Sequence, residues 1–434
     1  MANTYLQRTL GTPTSAYKGT LSWWQKGAST NSTQYILACE SGSERFLWYI
    51  SSGSFGGGLR GTSSPPDIDF SLSGTPKFRD VSNWYNFVLS WDSTQSTASD
   101  RIKFYVNNVQ YAVSSSGTSG VNDIPLNHVM PMNKSGLPFR LGSNITGGNY
   151  FTGLMSHIHL IDGTAYDATA FGETDATTGE WKIKTSPSVT YGNNGAFILK
   201  DSNSVTDQSG NSNNFTVGGG TLTKTEDSPS NVFATLNPLA APGSSLTFAK
   251  GNTEISFGAG GYHAVYSNIG ATSGKYYAEC LVDAVGSGSS IGIISADTVS
   301  NVQETGDGDY MGKESDSIGY VRDGEMFKAN NLQQTIATYT TNDIISLAFD
   351  LDNNSIQFYK NGSSVGNTVS LTANKTYMIG GSGYGGSRLR WNFGNGYFGT
   401  TAVSSAGTNA SGNGIFEYDV PTGYTALSTK GLNT

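Results

Sequence analysis

The chain has 434 residues with 56 glycines, and its 13% charged side chains are about half the usual fraction for a soluble domain. The net charge of −8 is spread along the chain with no basic run, which argues against a nucleic-acid partner. No stretch approaches about 18 consecutive apolar residues, which argues against membrane insertion, and 12% aromatic residues argue against disorder.

Gly, Ser, Thr, Asn, Tyr, Phe and Val dominate, so the expected fold is all-β: two antiparallel β-sandwich (jelly-roll) domains in tandem with almost no helix. The opening MANTYLQRTLGTPTSAYKG lacks the basic and apolar regions of a secretory signal, so cytoplasmic synthesis is expected. Strands are predicted over residues 20–26, 34–40 and 45–51. Over 84–92, Tyr85, Phe87, Leu89 and Trp91 alternate with Asn86 and Ser90, which reads as a half-buried strand. Residues 101–111 read as a hairpin turning at Asn107-Asn108. Further strands are expected at 139–142 and 153–162. The nearest approach to helical periodicity, 167–175, is interrupted by Gly172 and supports single turns at most.

The segment 201–220, with Pro229, Pro238 and Pro242 following it, is the best boundary. The first domain is expected over 1–225, including a packed connecting segment from about 200 that contributes a strand, and the second over 226–434. In the second, strands are predicted at 275–283, 290–295, 317–322, 344–351, 355–360, 377–380 and 388–393, with tight turns at Asp323-Gly324 and Asn361-Gly362. Only residues 428–434 are expected to fray. Cys39 and Cys280 lie in separate strand-like runs and read as buried free thiols.

Catalytic signals are weak. Glycoside hydrolysis needs two carboxylates flanking the scissile bond; the nearest sets are Asp67 with Asp69, and Glu173, Asp175 and Glu180, all more readily read as turn acids. His157 and His159 share a face if extended but lack an evident third metal ligand, so a structural pair is expected. Asp201, Asn203 and Asp207 are the one candidate calcium loop, against the alternative of Asx turns. No cofactor is otherwise expected. Trp23, Trp48, Trp84 and Trp91 lie within strands and read as core. Trp181, Tyr310, Tyr384 and Trp391 border loops and are the binding candidates, because a sugar site pairs an aromatic face with amides.

The runs WYNFVLSWDST, DRIKFYVNNVQY and PFRLGSN, followed by YFTGLMSHIHLID, resemble concanavalin-A-like, laminin-G-like sandwiches. SGKYYAECLV, SIGIISAD, SIGYVRDGEMF, DIISLAFDLDNNSIQFYKNG and RWNFG resemble a SPRY domain. The linking phrases GETDATTGEW, SPSVTYG, TKTEDSPSNVFATLNPL and VPTGYTALSTKGLN resemble appendage proteins of marine bacteriophages. The resemblance implies a non-enzymatic virion protein: a tail fibre, an appendage or a capsid decoration. It implies other virion proteins and a host cell-surface glycan as partners, and homo-oligomers on the particle. The alternatives are a polysaccharide depolymerase on the first sandwich, or a purely structural head or tail subunit. No heptad stretch or β-helical shaft is present to form a stalk.

Overall fold

The computed structural model describes residues 3–27, 32–41, 44–60, 68–117, 123–200, 203–240, 245–259, 261–299 and 310–433. They divide into two units, 1–224 and 225–434. Both are antiparallel β-sandwiches, and helix is confined to short turns, such as the 3-10 turn Ala168–Ala170 capped by the Asp167 carboxylate.

In the first unit an eight-stranded sheet runs in the order Val113–Gly117, Ile68–Leu72, Ser54–Arg60, Glu44–Ser51, Gln34–Ser41, Pro138–Leu141, Tyr5–Thr9, Thr216–Gly219. The connecting segment therefore does contribute a strand, Thr216–Gly219, which forms one edge. A six-stranded sheet runs Ala196–Ile198, Gly153–Asp162, Lys18–Gly27, Tyr85–Asp92, Ile102–Val106, Val109–Tyr111. Period-two alternation sends Phe46, Trp48 and Ile50 inward from one sheet, where they share a core with Trp23, Phe87 and Phe104 of the other. Trp48 and Phe104 lie 5.0 Å apart between ring centroids. The hairpin turns at Asn107 and Asn108, both at positive φ, which Asn tolerates.

The half-buried reading of residues 84–92 needs correction. Asn86, Val88 and Ser90 are buried as well as their inward neighbours. A return segment after Asp162 lays Ala168 and Phe171 on Val88 and Ile161, with Tyr166, Trp181 and Tyr191 around them. Alternation in sequence reports the main core; it is silent on a third layer supplied from elsewhere in the chain.

The second unit repeats the plan with different details. Its larger sheet runs Leu246–Ala249, Glu254–Phe257, Arg388–Asn392, Lys275–Ala284, Ile344–Asp350, Ser355–Lys360, Ser363–Ser370, and Thr425–Ala426 joins Lys275–Ala284 in parallel. The smaller sheet runs His263–Ala271, Tyr377–Tyr384, Gly288–Ser295, Ser317–Val321, Glu325–Lys328, Asn331–Thr335. Trp391, Tyr320, Phe349 and Phe358 fill the space between them. The edge strands Asn331–Thr335 and Ser363–Ser370 are stitched together by Gln334, whose side-chain amide donates to the Asn367 carbonyl (2.7 Å) and accepts from its N–H (2.8 Å).

A strap formed by residues 404–428 covers the outer face of the larger sheet, packing Phe416, Val420 and Ala426 on Tyr277, Ala348 and Phe233. Glu279, fully buried beneath it, accepts the backbone N–H groups of Glu417 (2.8 Å) and Tyr418 (2.9 Å). Tyr277 Oη (3.1 Å) and Asn392 Nδ2 (3.3 Å) also donate to this carboxylate. Through residue 433 the expected fraying is not observed: Ser428 and Gly431 are buried, and Gly431–Asn433 forms a 3-10 turn. Asn413 helps hold this end, its Nδ2 donating to the Thr425 and Ser428 hydroxyls.

Candidate binding site

The register of the smaller sheet in the second unit assembles an aromatic patch. His263 pairs with Gly383 and Gly288 with Tyr384, which places Tyr262 and Tyr384 side by side at one end of the sheet. Their ring centroids are 4.6 Å apart, and Tyr310 is 5.8 Å from Tyr262. All three are half-buried. Gly288 makes the patch geometrically feasible, since a Cβ there would run into both the Tyr262 hydroxyl and the Tyr384 ring.

Tyr310 is held by its neighbour. Met311 is buried against Ala264, Tyr266, Ile294 and Met378. Its backbone N–H donates to Ser382 Oγ (3.0 Å), and its carbonyl accepts from Ser290 Oγ (3.2 Å). Tyr310 then stands edge-on to Phe327 and donates to Asn330 Oδ1 at 2.6 Å. Arg322 closes one side, donating to the Gly286 carbonyl (3.0 Å) and pairing with Asp323 (3.2 Å). Burial, then the neighbouring Tyr384, pushes the Tyr262 phenol up to about 12, and burial also raises Tyr310, so these two hydroxyls stay protonated at neutral pH. The arrangement offers ring faces, phenolic O–H groups, an amide and a guanidinium, which suits stacking and hydrogen bonding to an uncharged ligand.

Tyr310 and Tyr384 are thus brought together, and the residue joining them, Tyr262, was missed by the sequence reading. It follows a glycine cluster and precedes a strand in GGYHAVY, the same loop-border signal that selected the other two. Trp391 is a correction. It is fully buried and stacked on Phe393 with centroids 5.3 Å apart, because its place in Arg388–Asn392 points it between the sheets. Trp181, in the first unit, is half-buried; it lies against Gly172 and donates from Nε1 to Asn86 Oδ1 at 3.2 Å. That ring caps the return layer and is not a free platform.

Of the calcium candidates, Asp201 lies outside the described residues. Asn203 donates to the Leu222 carbonyl (3.2 Å). Asp207 accepts the backbone N–H groups of Phe197, Ser209 and Asn213, each at 2.8 Å, plus the Ser209 hydroxyl. It acts as the organiser of its loop. No group of three or more His, Cys, Asp or Glu arranged for a metal occurs among the described residues. Asp67 also lies outside them, and Asp69 is on the exposed side of Ile68–Leu72. Asp175 is a turn acid, held down at about 2 by the N–H groups of Thr178 and Thr177 and by Lys182.

His157 and His159 do not follow simple alternation, because a bulge lies between Ser156 and His159 and His157 sits at φ 47°. His159 stacks on Phe197 at 4.0 Å and hydrogen-bonds Tyr191 Oη through Nδ1 at 2.9 Å. Burial, then the nearby His157, drives it well below the ordinary imidazole range, so it is neutral and structural.

Residues 275–396 match the model of the SPRY domain, and the chain carries a SPRY domain in its C-terminal half. The solved SPRY domain of human HERC1 is similar at 20% identity, with 36% of this chain and 96% of that one covered and a TM-score of 0.30. The PSpry domain of TRIM65 is similar at 12% identity over 37% and 88% of the two chains, with a TM-score of 0.31. No curated protein matches the chain.

Proposed function

We propose that this chain is a non-enzymatic recognition protein of a virus particle, a tail fibre, appendage or capsid decoration, that binds a host surface glycan. The observation that carries the binding part is the Tyr262–Tyr310–Tyr384 patch, a shallow aromatic surface with Asn330 and Arg322 at its sides. Phenol rings present an apolar face to sugar C–H groups while their hydroxyls meet sugar oxygens. The particle assignment is supported by the resemblance of the linking phrases to marine phage appendage proteins, and the SPRY match supports a binding module in general.

The test is binding of the full chain to a panel of host surface glycans, with the Tyr262→Ala/Tyr384→Ala double variant alongside. A glycan bound by the wild type and weakened at least about tenfold in the variant is the expected result. A peptide segment of another virion protein bound in place of every glycan would replace this reading with a structural role. Gold labelling of intact particles then places the chain: label on projecting fibres agrees with adhesion, and label over the head withdraws it.

A further inference from the structure

A second polar site lies in the first unit, where the end of Tyr5–Thr9 meets the loop before Thr216–Gly219. It is a groove of about 480 Å³, lined by Gln7, Arg8, Thr9, Asn213, Asn214 and Thr216 together with Pro138 and Ser212.

Arg8 is the one charged group in the lining. Its guanidinium is pinned, donating from Nη1 to the Asn194 carbonyl (2.9 Å) and from Nη2 to Asn213 Oδ1 (2.8 Å). Asn213 is itself fixed, donating to the carbonyls of Asn193 and Gly195, both at 2.7 Å. Among the described residues no carboxylate lies within ion-pair distance of Arg8. The acid it feels, Asp207, already accepts three backbone N–H groups. Burial lowers the Arg8 pKa, and the guanidinium lies 5.9 Å from the centroid of the Phe215 ring as well as on its two oxygen acceptors. Each Nη carries a second N–H beyond the one these bonds use, and guanidinium N–H groups are suited to a carboxylate. The Gln7 amide and the Thr9 and Ser212 hydroxyls in the wall match a polyol, and the single positive charge matches a single negative one.

We propose that this groove binds a sugar acid, a saccharide carrying one carboxylate such as a uronic acid, with Arg8 taking the carboxylate. The site is independent of the tyrosine patch and of the function assigned to it.

The test is ligand-observed NMR on the full chain with D-glucuronate and D-glucose as probes. Glucuronate is expected to bind at least about tenfold more tightly than glucose. Arg8→Gln is expected to erase that preference. Thr9→Trp, which fills the groove from an exposed wall position and leaves Arg8 alone, is expected to remove glucuronate binding while the thermal transition is retained. Tyr262→Ala/Tyr384→Ala is expected to leave it unchanged. Equal binding of the two sugars, binding of neither, or glucuronate binding that survives Thr9→Trp would overturn the proposal. So would its loss in the tyrosine variant, which would move the ligand to the other site.

Discussion

Glu279 is the residue whose chemistry is most exposed to experiment. Burial raises its carboxyl, and four donors, two from the strap backbone, oppose that, leaving it at about 7 against an ordinary 4.5. The folded form therefore holds a proton more tightly than the unfolded chain. The stabilisation this gives is complete below about pH 4.5 and is lost as pH rises through about 7. Glu279→Gln would set an amide donor against a backbone N–H and cost about 1–3 kcal/mol. Its thermal midpoint should lie below wild type near pH 5, with the gap narrowing toward about pH 8; a gap independent of pH would sink the assignment. Gly288→Val offers a check on the tyrosine patch, because the new side chain displaces Tyr262. Glycan binding is expected to fall while the fold, read by circular dichroism, persists.

The strands and hairpins were legible because their signals are local. Alternation in residues 84–92 and 355–360, and the left-handed Asn107-Asn108 and Asn361-Gly362 turns, correspond to Tyr85–Asp92, Ser355–Lys360 and two tight connections. The outer layers were not legible. They depend on contacts such as Phe171 on Val88 and Phe416 on Tyr277, made between segments far apart in sequence. Trp391 and Tyr384 show the same limit: both border loops, yet register and facing bury one and leave the other half-exposed. Gln334 is a further element-scale device, since its amide occupies backbone groups that an edge strand otherwise presents to another chain. Gln334→Ala is expected to lose about 1–2 kcal/mol and to speed hydrogen exchange at the Asn367 amide. Unchanged exchange there would contradict the closing role.

At the scale of the whole molecule, both units build a sandwich and then cover one outer face with a later stretch of chain: residues 163–191 in the first and 404–428 in the second. Deleting residues 397–434 strips Tyr277 and Ala348 of their cover and leaves Glu279 without its two backbone donors. The shortened chain is expected to lose cooperative unfolding of its second unit and to scatter light on warming. A shortened chain that keeps the full chain's size in solution and an unchanged midpoint would show the strap to be ornamental.

The strap also sets what is inheritable as a module. The family-level match ends at residue 396, yet the buried carboxylate at 279 takes its two backbone donors from 417 and 418. A recombination event that carried only the matched span would deliver a sandwich with an exposed apolar face and a buried acid stripped of two of its four donors. The portable unit in this chain therefore reaches beyond 396 to the end of the strap. A swap cut at the narrower border would be selected against at folding, before any ligand was met.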